Sequence, residues 1–127
     1  MPQRLDVPPV EVDLTGGLDA RLDSLVGAAR EAHAEFTRIE PGARQLVAEA
    51  SGSEIASDRW AAAQVALAEL DSARSRAAVP LADLDTLYIA SRVAAEDSTK
   101  IDEARRTVIA MVSEEDAVLA TLRGRIR

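Results

Sequence analysis

An apolar seam runs from Leu18 to Ala50 with members alternately four and three residues apart: Leu18, Leu22, Leu25, Ala29, Ala32, Phe36, Ile39, Ala43, Leu46 and Ala50. No polar residue interrupts it. A 3.5-residue repeat is the signature of helices that pack nearly parallel to a neighbour, each side chain entering a hole between others. It predicts an all-α protein, an antiparallel bundle of three, or at most four, long amphipathic helices. The seam specifies architecture and not chemistry, because no nucleophile with its base, no metal-ligand set and no phosphate loop accompanies it.

The core such a chain can build is made of small side chains. Hydrophobic residues are 47% of the sequence, yet there is one Trp, one Tyr and one Phe. Alanine lets helix axes approach closely but removes little apolar surface from water per residue, so the helices must be long. At 127 residues the chain fits one helical domain, residues 18–127, preceded by an extended or flexible arm, residues 1–17. The arm holds Pro2, Pro8, Pro9, Gly16 and Gly17, which forbid a lasting helix. Val10, Val12 and Leu14 alternate with acids there, the period of a short edge strand or of a segment laid over the bundle.

Charge excludes one class of partner. The net charge is −7, and the 15 basic residues are dispersed among 22 acids, so no face can displace counterions from a nucleic acid. Arg123, Arg125 and Arg127 complement the negative end of a last helix. The absence of cysteine removes disulfides, thiolate nucleophiles and zinc–thiolate sites, and with a single histidine no metal and no cofactor is expected. No apolar run has the length of a membrane span, and no signal-like apolar stretch opens the chain. As written it reads as cytoplasmic; a periplasmic or secreted helper is the alternative if Met1 is not the native start.

The first helix should begin near Leu18, with Thr15 or Asp19 as cap, and end near Ala50. Pro41 and Gly42 fall inside it, but the seam keeps its register through them, which predicts a kinked continuous helix. Ser51, Gly52 and Ser53 mark a turn, and Ser51 with Glu54 has capping-box spacing. The second helix carries Trp60, Ala63, Leu67, Leu70 and Ala77, with Trp60 read chiefly as core and otherwise as a contact anchor. Two places compete for the second reversal. Proline inside a helix costs about 3 kcal/mol or more, whereas Ser98 and Thr99 cost tenths, and on that arithmetic the reversal belongs at Val79 and Pro80. The polar stretch Glu96 to Lys100, with Asp97 or Ser98 as cap, is the alternative.

Three features invite a chemical reading. His33 has acids only two residues away, at Glu31 and Glu35, which point elsewhere on a helix, so it reads as a flanking, locally bonded side chain or a pH-sensitive contact. Tyr88, Arg92, Glu96 and Lys100 recur every fourth residue and would form one ladder, either an anion-binding face or a solvated surface. Glu115 falls on a seam position, with Arg74, another seam intruder, as the candidate partner of a register-setting ion pair; otherwise the stripe simply meets water there.

The lengths then imply self-association. A reversal at Pro80 leaves the last segment longer than its partners, so that Val108, Met111, Val112, Val118, Leu119, Leu122 and Ile126 lack a neighbour and need a second copy to cover them. The expected function is a non-catalytic interaction or scaffold protein, a homodimer or a binder of a protein partner. The alternative is an anion-binding protein or all-α enzyme using Tyr88, Arg92, Glu96 and Lys100.

Overall fold

The computed structural model describes residues 16–126, and these form three helices packed side by side, with no strand among them. Helix α1 spans Gly16–Ala50, α2 spans Asp58–Val93 and α3 spans Thr99–Arg125. The all-α, three-helix expectation holds. Gly16 and Gly17 belong to the first turn of α1; the rest of the arm, with its alternating segment and Thr15, lies outside the described residues.

The α1 seam faces inward along its length. Leu18, Leu22, Ala29, Ala32, Phe36, Ala43 and Ala50 are buried, while Leu25, Ile39 and Leu46 are partly covered. Toward the C-terminal end Val47 is fully buried in preference to Leu46. An α-helix turns every 3.6 residues, so a 3.5-residue seam drifts around it and the next residue takes the inward position. Pro41 lies inside α1 and is exposed, as the unbroken register requires.

The first reversal, 51–57, has Gly52 at φ 82°, the left-handed conformation that costs glycine nothing. The cap of α2 is not Ser51 with Glu54. Ser57 accepts a bond from the Trp60 amide at 3.2 Å, and Ser53 instead closes α1 by donating to the Ala50 carbonyl at 2.6 Å. Trp60 is half-buried in the first turn of α2.

The second reversal is not at Pro80, which is buried in the middle of α2. It lies at 94–98, the alternative site. There the Glu96 amide reaches back to the Ser91 carbonyl at 2.9 Å and the Ala95 amide to that of Arg92 at 3.1 Å, the paired closure of a Schellman motif, with Ala95 at φ 58°. Asp97 precedes α3 and its Ser98 N-cap, its carboxylate accepting from the Thr99 amide at 3.0 Å and the Thr99 hydroxyl at 2.7 Å. Those two bonds hold the Asp97 carboxyl below its ordinary pKa, the hydroxyl having the larger effect. The proline is tolerated because moving the turn would strand the whole α3 stripe in water, a cost several times larger than one lost helical bond.

With the reversal at 94–98 the helices are 35, 36 and 27 residues long, so α3 does not outrun its two partners. Val108, Met111, Val112, Leu119, Leu122 and Ile126 are buried within the single chain and Val118 packs against them. The surplus stripe that called for a second copy does not exist, because those side chains are already covered by α1 and α2.

Candidate functional site

The enclosed residues form two clusters, and in every helix the boundary between them falls at the same level. One cluster takes Phe36 to Ala50, Ala63 to Ala73 and Leu119 to Ile126; the other takes Leu18 to Ala32, Ala77 with Leu84, and Ile101 to Val112. His33, Arg74 and Glu115 occupy the boundary. Glu115 is fully buried, and its Oε2 lies 2.7 Å from Nδ1 of the partly buried His33. Its Oε1 has no hydrogen-bond partner among the described residues. Burial is the chief influence on this carboxyl and raises its pKa, against the opposing hydrogen bond from His33 and the charge of Arg74. Glu114 sits at the rim, 3.8 Å from Nε2 of the same ring.

The expected Arg74–Glu115 pair is replaced by a neighbouring one. Arg74 donates from Nε and Nη2 to the two oxygens of Asp116, at 2.8 and 3.1 Å, a bidentate contact that raises its pKa. His33 thus takes Glu115, and Arg74 takes Asp116, one position on. The partners are 82 and 42 residues apart in sequence, so no local spacing announces them.

The ladder Tyr88, Arg92, Glu96 and Lys100 is not assembled. Tyr88 and Arg92 are on α2, Glu96 is in the reversal, and Lys100 is on α3, where its ammonium meets Asp19 of α1 at 3.2 Å. The Tyr88 ring is instead covered by Arg105, with the guanidinium 4.7 Å from the ring centre, and by Arg92 at 6.0 Å. Arg105 is held by Asp85 and Asp102 at 2.7 and 2.9 Å, the first of which does most to raise its pKa. An open hollow of about 350 Å³ beside Tyr88 is lined by Arg92, Arg106, Asp102 and Glu103, acids and bases together, and Arg106 is itself bonded to Asp102. That lining compensates its own charge and offers no excess to a small anion. Among the described residues no group of three metal-binding side chains converges, and no helix is long and apolar enough to cross a membrane.

The outside of α2 has no partner among the described residues. Ala61, Val65, Ala68, Ser72, Ser75, Val79, Ala82, Thr86, Ile89 and Val93 are spaced alternately four and three apart, are all exposed, and include no charge. Four of the six exposed large aliphatic side chains among the described residues belong to this stripe. The spacing is visible in the sequence, but it is overlooked when the inward residues of the same helix are read first and the helix is cut at Pro80. Against this geometry the comparisons with known proteins add nothing: no protein-family model, curated protein or solved structure matches the chain.

Proposed function

We propose that the chain is a non-catalytic interaction or scaffold protein whose working part is the outer face of α2, acting through self-association or on a protein partner. The observation that carries this reading is the stripe from Ala61 to Val93, ten exposed positions at coiled-coil spacing with no charge among them. A solvated helix face ordinarily carries charge at such positions, and a sustained uncharged 3.5-residue seam fits a neighbouring helix. The pairing of the fully buried Glu115 with the partly buried His33 supports a structural role for the polar side chains inside the bundle. An anion-binding reading has less support, because the four residues it needs are spread over two helices and a turn.

A photo-cross-linking side chain placed at Thr86 and, separately, at Ala34 on the exposed side of α1 tests the proposal in cells that express the protein. Protein adducts should form from Thr86 and not from Ala34. Equal yields from the two positions, or none from Thr86, would overturn it.

A further inference from the structure

Resting on that reading, we infer that the occupant of the α2 face is a second copy of this chain, lying antiparallel about a two-fold axis between Pro80 and Leu81. The argument comes from the charges flanking the stripe. On one side, immediately after its members, stand Glu69, Arg76, Asp83 and Ala90; on the other, immediately before them, stand Asp71, Ala78, Asp85 and Arg92. In an antiparallel helix pair each flank faces the same flank of the other copy, so the sequence can be tested for its own complement.

With the axis between Pro80 and Leu81, Arg76 faces Asp83 of the second copy and Asp71 faces its Arg92, and symmetry repeats both pairs. Glu69 then meets Ala90, and Asp85 meets Ala78, so no like charges oppose. The stripe layers are Val79 on Ala82, Ser75 on Thr86, Ser72 on Ile89 and Ala68 on Val93, each placing a larger side chain against a smaller one. Sliding one copy by a heptad in one direction puts Arg76 on Arg76, Glu69 on Asp83 and Asp71 on Asp85. Sliding it the other way puts Asp83 on Asp83 and Asp85 on Asp85. Complementary charge at one register, bounded on each side by repulsion, is how a coiled coil selects its partner and alignment.

The flanking groups are available for these contacts. Arg76 is exposed and among the described residues is bonded only to Ser72, at 3.1 Å, and Asp83 and Arg92 are exposed. Asp71 is partly exposed and already accepts from Arg123 at 2.9 Å, so the second copy's Arg92 would join an existing pair. An open hollow of about 480 Å³ between α1 and α2, lined by Glu31, Glu35, Arg76 and Val79, borders the stripe, so nothing in α1 covers its flank there.

Sedimentation equilibrium on the full chain should give twice the 13.5 kDa of one copy at micromolar concentration. Arg76→Asp and Asp83→Arg should each raise the dissociation constant about tenfold or more, and the double variant should recover most of the loss, since it restores opposite charges in reversed order. The chain has no cysteine of its own. A mixture of Val79→Cys and Ala82→Cys should therefore oxidise to a mixed dimer, whereas Val79→Cys alone should not. Cross-linking of Val79→Cys to itself would indicate a parallel pair and overturn the register; additive charge variants with no recovery would do the same. A chain monomeric at hundreds of micromolar would overturn self-association. Adducts from Thr86 to a different protein would then leave the interaction reading standing, and their absence would remove it as well.

Discussion

The inner face of α2 carries Ala63, Leu70, Ala77 and Leu84 at seven-residue intervals, each fully enclosed, while the outer face carries Val65, Ser72, Val79, Thr86 and Val93 at the same interval, each exposed. Periodicity alone does not separate them. A 3.5-residue repeat marks a helix face that suits a neighbouring helix; it does not state whether the same chain supplies one. The composition of the two faces does differ. The inner stripe uses Leu and Ala, which fill volume without a polar atom, and the outer one dilutes Val with Ser and Thr, which tolerate water when the face is bare. Such a face can be kept soluble in one copy and closed in two.

The sharpest way to break this comparison is to truncate one side chain on each face. Leu84→Ala removes a side chain with no exposure from the cluster containing Leu18, Leu22 and Ile101, and should cost about 3 kcal/mol in chemical denaturation. Ile89→Ala, at 61% exposure, should change the stability of one copy by no more than about 0.5 kcal/mol while weakening association. Equal losses measured at concentrations where the chain is monomeric would show that Ile89 is part of the fold, and the outer face would lose its distinct status.

Much of the fold was legible in the sequence, for reasons that particular residues make plain. The α1 seam survives Pro41 in register, and Gly52 supplies the positive φ that the first turn needs, so both the long helix and its end could be read locally. The second reversal could not, because its left-handed position is filled by Ala95, which carries no glycine signal. Pro80, by contrast, gives a loud local signal that is overruled by burial of the distant α3 stripe. Of the candidate site, Glu115 and Arg74 were visible as seam intruders, but their partners were not, since His33 and Asp116 meet them only through tertiary packing.

The polar layer offers the next test, because it is the one place where the inner face behaves unlike a core. His33→Ala removes the one hydrogen bond that the buried Glu115 carboxyl makes among the described residues and should cost about 1–3 kcal/mol. Glu115→Met should be neutral or stabilising, since the partly exposed His33 ring can turn to water. A pH series adds a sign. The pKa of Glu115 is raised in the native state, so the folded protein holds this proton more tightly than the unfolded chain. The group's contribution is therefore complete below its ordinary pKa of 4.5 and is lost as pH rises from there through the native value. The stability of the protein relative to Glu115→Gln should accordingly fall across that window, followed by denaturant melts at several pH values. A difference that rises with pH would mean that the hydrogen bond from His33 and the charge of Arg74 outweigh burial.

The two prolines sharpen the contrast of inside and outside further. Each removes one helical hydrogen bond, and the residues whose carbonyls lose their donors, Thr37 and Arg76, are both exposed. Pro41 is itself exposed, so Pro41→Ala gives up no packing and should stabilise the chain by about 2 kcal/mol. Pro80 is buried, and losing its ring atoms offsets part of the gain, so Pro80→Ala should stabilise by about 1 kcal/mol or less. Thermal melts rank the pair. The opposite order would mean that the ring of Pro80 contributes nothing to the inner face.

The smallest effect is expected where a polar contact lies outside the enclosed layer. Arg74 grips both oxygens of Asp116, a geometry no less specific than that of His33 with Glu115, yet the two side chains are 32% and 53% exposed. Water and salt screen such a pair, and two long side chains lose freedom in making it, so the net worth of exposed ion pairs is about 0–1 kcal/mol. Asp116→Asn should therefore destabilise by less than about 1 kcal/mol, and the difference should shrink further at high salt. Truncating His33 removes one hydrogen bond and altering Asp116 disturbs two, so a count of bonds predicts the reverse ranking. If Asp116→Asn costs as much as His33→Ala, bond number and not enclosure governs the polar layer, and Arg74 belongs with the buried pair.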